Sequence, residues 1–229
     1  MSALFDYPKK AEFGRILPKT KVYEKASPST AIKNLFVRQV DQIVWKYKLA
    51  PETINIPATK SVPEIQIFQI TLKTGELKDD VLRCVDKAVA LPIIYELHFD
   101  GKCQVVASYK RPNEADTAKW VISSYFRSKW MKADAPRQPL PVALNLGGLY
   151  LELFKPLLPC RAEKKDSLKT LVERAESIRS QELELDKAQS RLKKEKQFNR
   201  KVEINAEIRT IKQKIEKMAA AKENIGVTL

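Results

Sequence analysis

Residues Pro92 to Arg111, PIIYELHFDGKCQVVASYKR, decide the fold class. Two runs rich in β-branched and aromatic residues flank Asp100-Gly101, and that dipeptide supplies the positive φ angles a two-residue hairpin turn requires. An antiparallel strand pair is therefore expected here. Upstream, Glu64 to Lys73 places Ile65, Ile67, Ile70 and Leu72 among polar partners, with Phe68 breaking strict alternation, and reads as a central strand. Between these strands, Leu77 to Ala90 has the period of an amphipathic helix. Leu82, Val85 and Val89 face inward, and Asp79 and Asp80 lie in the first turn, where they complement the helix dipole. Downstream, Trp120 to Tyr125 extends the sheet.

Farther out the pattern changes. Residues 1 to 28 mix aromatic and basic side chains with Pro8, Gly14, Pro18 and Pro28, which suggests an extended arm with one short helical turn that wraps the core or reaches a partner. A helix is expected from a Ser27 or Ser29 cap to Leu49, because Leu35, Phe36, Val40, Ile43, Val44 and Tyr47 recur at spacings of three and four. Met131 to Pro141 is a proline-bearing connector. It leads into ALNLGGLYLELF, read as a helix in which Gly147 and Gly148 mark a tight approach or a bend.

Arg161 to Ile225 contains no glycine or proline and consists mainly of good helix formers. Leu171, Ile178, Leu185 and Leu192 recur every seven residues, while Ile204, Ile208, Ile211, Ile215 and Met218 step by four, three, four and three. The two seams do not share a phase, and the break falls between Phe198 and Asn205. Either a helical hairpin turns near Asn199, or an extended helix pairs with another chain through Ile204, Ile208, Ile211 and Ile215. The expected fold is thus α+β: a mixed or antiparallel sheet with two or three packed helices, plus a long C-terminal coiled-coil or helical-hairpin extension. The expected divisions are an N-terminal arm (1–28), a globular domain (29–160) and a helical extension (161–225).

Charge singles out that extension. The chain carries a formal net charge of +14, distributed as 11 basic and 5 acidic residues in 1–60, 13 and 11 in 61–160, and 18 and 12 in 161–229. A neutral middle with cationic ends suits a scaffold that meets nucleic acid or another polyanion, although a solvated basic surface has the same composition. Within KAQSRLKKEKQFNRK, residues 187 to 201, the basic residues Lys187, Arg191, Lys193, Lys194, Lys196, Arg200 and Lys201 meet one acid, Glu195. Such a cluster on a few helical turns should give steeply salt-dependent binding. A second candidate is Trp120, Tyr125, Phe126 and Trp130 interleaved with Lys119, Arg127, Lys129 and Lys132, the mixture that stacks bases while neutralising phosphates, although core packing accounts for aromatic residues on a strand equally well.

Signatures of catalysis are scarce. Six glycines form none of the phosphate-cradling or nucleophile-elbow motifs. Cys84, Cys103 and Cys160 include no CxxC pair, and together with the lack of a secretory leader they suggest a reduced, cytoplasmic chain without a membrane span. Cys84 reads as a small core residue. Glu96, His98 and Asp100 could hold a metal, but the polar face of a strand is the commoner explanation, and no metal or cofactor is expected. A magnesium-dependent nuclease of the PD-(D/E)xK type would need carboxylates beside Lys73. Thr71 occupies the acidic position, which leaves only Glu64 and Asp41 in an unusual arrangement.

Several phrases, among them FGRILPKTKVYEKASPSTAIKNLFVRQVDQIVWKYKLAPETINIPA, SVPEIQIFQITLKTG, KWVISSYF, PLPVALNLGGLY and KKEKQFNRKVEINAEIR, resemble an uncharacterised bacterial and archaeal family, with PETINIPAT and KQFNRKVEINAE the most specific. The likeness spans nearly the whole chain. That family is often encoded beside a helicase and a DNA methyltransferase resembling type III restriction systems, and it has no assigned catalytic residues. The resemblance implies a non-enzymatic accessory protein of DNA modification or phage defence, docking on a helicase or methyltransferase and touching DNA. A cryptic nuclease and a purely structural assembly factor are the alternatives, and self-association through the C-terminal helices is a further expectation.

Overall fold

The computed structural model describes residues 3–113, 116, 120–163 and 165–220, which divide into two compact units meeting at Leu157 and Leu158. In the first unit, β1 (Phe5–Asp6), β2 (Glu12–Ile16), α1 (Lys19–Ala26), α2 (Thr30–Gln39), β3 (Val40–Leu49) and α3 (Pro51–Ile54) precede β4 (Ile65–Leu72) and α4 (Asp79–Ala88). They are followed by β5 (Ile93–Phe99), β6 (Lys102–Pro112), β7 (Trp120–Arg127), β8 (Met131–Lys132), β9 (Gln138–Pro139) and α5 (Leu146–Phe154). The second unit consists mainly of α6 (Leu168–Lys194) and α7 (Phe198–Ala219). The class is α+β, with a long C-terminal helical segment.

The main sheet runs β2-β3-β4-β5-β6-β7, with β8 added beside β6, and every pair is antiparallel except β4 with β5. That one parallel pair needs a crossover, which α4 supplies. Asp100 and Gly101 adopt φ of 47° and 66°, so the β5–β6 turn takes the conformation its dipeptide favours, with Phe99 opposite Lys102. On one face of the sheet, Phe36, Val40, Ile43, Phe68, Ile70, Tyr95, Leu97 and Val106 bury against Val81, Leu82, Cys84 and Val85 of α4. The other face carries Ile67, Ile94 and Val105. It is covered by the N-terminal segment, where Tyr7 meets Tyr47, and by α5, where Phe154 meets Phe126 edge-on.

The helix expected from Ser29 to Leu49 is half as long as its periodicity suggested. Ser29 caps it through the amide of Ile32, but at Val40 the backbone becomes extended and continues as β3. Residues 40–49 satisfy both periods, since Ile43, Trp45, Tyr47 and Leu49 also alternate. Hydrogen bonding to β2 on one side and β4 on the other decides for the strand, helped by the β-branched and aromatic content. The N-terminal residues expected to be an arm supply β2 at the sheet edge and α1, whose Val22 joins the core. Gly14, at φ 62°, lies where the β2 register shifts, the position where a bulge needs a left-handed residue. Gly147 marks a close approach rather than a bend: it lies in the first turn of α5, and a Cβ there would come within 3.3 Å of the Thr59 side chain.

A buried polar network ties α4 to the sheet. Asp86 accepts from Lys110 Nζ at 3.2 Å, from Ser108 Oγ at 3.2 Å and from the Tyr125 hydroxyl, while Tyr150 donates to the Ser108 carbonyl at 2.9 Å. Burial lowers the Lys110 pKa, and the Asp86 carboxylate opposes that shift. Asp86→Leu strands the ammonium inside the sheet–helix interface and should cost about 3–5 kcal/mol in urea unfolding. Asp86→Leu combined with Lys110→Met should recover most of that loss; a double variant no more stable than the single one would refute this account.

Candidate nucleic-acid interface

The second unit is built by two apolar seams meeting. Leu185, Ala188 and Leu192 of α6 pack against Ile204, Ile208, Ile211 and Ile215 of α7. The amide of Arg161 donates to the Ala219 carbonyl at 3.2 Å at one end, and Arg191 pairs with Glu207 at 2.7 Å nearer the other, so the helices are antiparallel. The four isoleucines expected to bind a partner chain are therefore occupied within this chain. The physical reason is proximity, since a seam tethered by a three-residue turn meets its complement at high effective concentration.

The turn comes at Glu195 to Gln197, just before the expected break, and the phase change between the seams is this reversal of direction. Glu195 organises it. The residue is extended (φ −71°, ψ 137°), and its Oε1 accepts the amides of Lys196 at 2.7 Å and Gln197 at 2.8 Å, amides that no helical carbonyl can satisfy. Those two bonds hold the Glu195 pKa below the usual carboxylate value, with Arg200 and Lys201 adding to the effect. The single acid of the basic stretch is thus the residue that organises the turn ahead of α7, whose cap position, Gln197, makes no side-chain bond of its own.

The turn brings Lys193, Lys194, Lys196, Arg200 and Lys201 to one end of the hairpin, all exposed. They divide between two flanks. Arg191, Lys194 and Arg200 line a groove with Glu195, Glu203 and Glu207, where charge is balanced. Lys193 is two positions beyond Arg191 and so projects from the opposite side of α6, the side on which Lys201 lies across the pair. Two residues at this tip escaped the sequence reading: Phe198 is 77% exposed and Val202 is 53% exposed. The available signal was that both are apolar yet stand off the four-three seam that begins at Ile204.

The second expected interface is not assembled. Tyr125 and Phe126 are buried on opposite faces of β7, the first held by Asp86 and the second against Phe154. Trp130 packs at the edge of the core, Trp120 is half-buried, and Arg127 donates to Asp79 and to the Leu77 carbonyl. Lys129 and Lys132 are the exposed members of that set, and Lys119 lies outside the described residues. A strand's alternation sends its aromatic rings into two cores instead of forming one platform.

The nuclease set is likewise dispersed. Asp41 and Lys73 lie by one end of the paired β3 and β4, whereas Glu64 lies beyond the other, bonded to Gln66 and Lys48. An eight-residue strand is roughly 25 Å long, far beyond the reach of a shared metal. Along β4 the polar side chains are Gln66, Gln69 and Thr71, none of them a carboxylate.

Glu96 and His98 come together with Cys103, not with Asp100, and their donor atoms lie within 4.8 Å of one another. Both carboxylate oxygens of Glu96 are taken by Arg137, each at 2.8 Å, and Arg137 also donates to the Phe5 carbonyl at 2.9 Å. Burial pushes the Cys103 thiol up to about 12, so it is protonated at neutral pH. These residues form a clasp that fastens the N-terminal strand and the 133–139 segment to the sheet. Sequence reading missed Arg137 because its partner is 41 residues away.

With the geometry in view, the class is an α+β domain bearing a helical hairpin with a cationic tip. The chain belongs to the family described as "Domain of unknown function (DUF4391)", whose model matches residues 5–215. Neither the curated proteins nor the solved structures yielded a match. Among the described residues no helix is long and apolar enough to cross a membrane.

The Glu96–Arg137 clasp makes a pH prediction. Burial alone would raise the Glu96 pKa, but the hydrogen bonds and charge of Arg137 and His98 outweigh it and lower the value from 4.5 to about 2. A depressed carboxylate stabilises the fold above its unfolded pKa and loses that contribution as pH falls through the folded one. Its loss between those two values should amount to about 3 kcal/mol in urea unfolding. Arg137→Met should remove this acid-side loss and lower stability at neutral pH; an unchanged pH profile in that variant would show that the pair is not responsible.

Proposed function

We propose that this protein is a non-enzymatic accessory subunit of a DNA-modification or phage-defence system, binding DNA through the tip of its C-terminal hairpin and docking on a helicase or methyltransferase partner. The observation that carries the DNA reading is the gathering of Lys193, Lys194, Lys196, Arg200 and Lys201 at one exposed end. Their only acidic neighbour in the turn, Glu195, is engaged by backbone amides. Cations held on short helix ends neutralise phosphates and release condensed counterions, which gives sequence-independent affinity. The partner and the system follow from the resemblance to a family encoded beside helicase and methyltransferase genes, which is an argument from context.

Gel shifts across a salt series test the first half. Wild type should bind duplex or single-stranded DNA with an affinity that falls steeply with salt. Lys193, Lys194, Lys196 and Arg200 changed together to Glu should weaken binding at least tenfold at low salt and flatten the slope, each lost phosphate contact removing about 0.7–0.9 from it. Equal binding by the two proteins, or none by wild type, would refute the tip as a DNA contact. Co-purification with the products of neighbouring genes tests the second half, and absence of both a helicase and a methyltransferase from the isolated complex would refute the docking role.

A further inference from the structure

The flank of α7 away from the charge-balanced groove has a different chemistry. Phe198, Lys201, Asn205, Arg209 and Lys212 follow one another at spacings of three and four, and Val202 lies four beyond Phe198 and three before Asn205, so the six form a single broad stripe, and all are exposed. The stripe contains no carboxylate until Glu216. Its tip end carries the most exposed aromatic side chain among the described residues, Phe198, which lies in sequence between Lys196 and Lys201, both exposed, as is Lys193 on the preceding helix end. Phe198 is 77% exposed and is not one of the residues that form the isoleucine seam, so burial in the hairpin core does not account for its being aromatic.

We propose that this stripe is a binding site for single-stranded nucleic acid, with Phe198 as the base-stacking platform and Lys193, Lys196 and Lys201 holding phosphates around it. The proposal deepens the DNA reading given above and rests on it. An exposed ring bordered by lysines matches an unpaired base bordered by phosphates, because every base has a π-face and every linkage a negative charge. A duplex hides those faces in its own stack, and a ring on the side of a helix cannot reach them without unstacking the bases. Val202, one turn farther along, offers apolar surface to the neighbouring sugar or base. Arg209 and Lys212 continue the cationic track for the following phosphates.

Fluorescence anisotropy with the full chain, a labelled oligothymidine and a matching duplex tests this assignment, with anionic phospholipid vesicles as a third probe. Phe198→Ala should weaken oligothymidine binding on the order of five- to a hundredfold, the effect of one stacked base, and change duplex binding less than about twofold. Phe198→Trp should retain the single-strand affinity. Because Phe198 is exposed and lies off the seam, both variants should keep the helical circular dichroism of wild type. Equal losses on the two nucleic acids, or none on oligothymidine, would overturn the stacking site while leaving salt-dependent tip binding intact. Binding of vesicles alone, with neither nucleic acid bound, would overturn both this inference and the DNA reading.

Discussion

The β4–β5 pair must be buried on both faces, and the rest of the first unit is arranged to do it. IQIFQITL and IIYELHF leave almost no exposed side: Ile65, Ile67, Phe68, Ile70, Ile93, Ile94, Tyr95 and Leu97 are all buried. One helical layer cannot cover two faces. Helices α1, α2 and α4 take one, and the N-terminal segment, the 133–139 segment and α5 take the other. Each side also receives one carboxylate that water cannot reach, Asp86 on the inner face of α4 and Glu96 beneath the N-terminal segment. Each is matched by a cation from elsewhere in the chain, Lys110 and Arg137 respectively. Such pairs add little net stability over apolar substitutes, but breaking one leaves an uncompensated charge. Their effect here is to fix which segment lies where.

The second unit obeys the same requirement with fewer parts. Two amphipathic helices that could each seek a partner find one another, and burial of Ile208 and Ile211 against Ala188, Leu185 and Leu192 closes the hairpin. Closure determines where the charge goes. Residues 187 to 201 would be spread along some 20 Å of a continuous helix, whereas folding back concentrates their cations around a three-residue turn. Glu195 makes the turn compatible with two helix ends by accepting the amides that would otherwise lack partners.

The proposed DNA contact rests on what packing leaves over. The sheet consumes most of the aromatic and basic residues of β7, and the groove of the hairpin consumes Arg191 on Glu207. At the hairpin tip, the cations left outside that groove are Lys193, Lys196 and Lys201, and the exposed Phe198 lies near them in sequence. A residue whose burial would serve stability, yet which stands in solvent among lysines, points to a ligand more directly than net charge does.

Local chemistry by itself determined the β5–β6 turn, the strand of β4, the α4 helix with its acidic first turn, and the helical character of most residues from Leu168 to Ala219, although not of the 161–167 start that was expected, because each rests on a dipeptide or a period contained within one segment. The cationic character of residues 187 to 201 was legible in the same way. Only tertiary structure decided that residues 40–49 are a strand, since their apolar positions suit both periods and hydrogen bonding to β2 and β4 breaks the tie. It also decided that the isoleucine seam faces inward, that Tyr125 and Phe126 are core rather than platform, and that Arg137 meets Glu96. These outcomes depend on which distant segment arrives opposite a residue, and one-dimensional periodicity carries no information about that arrival.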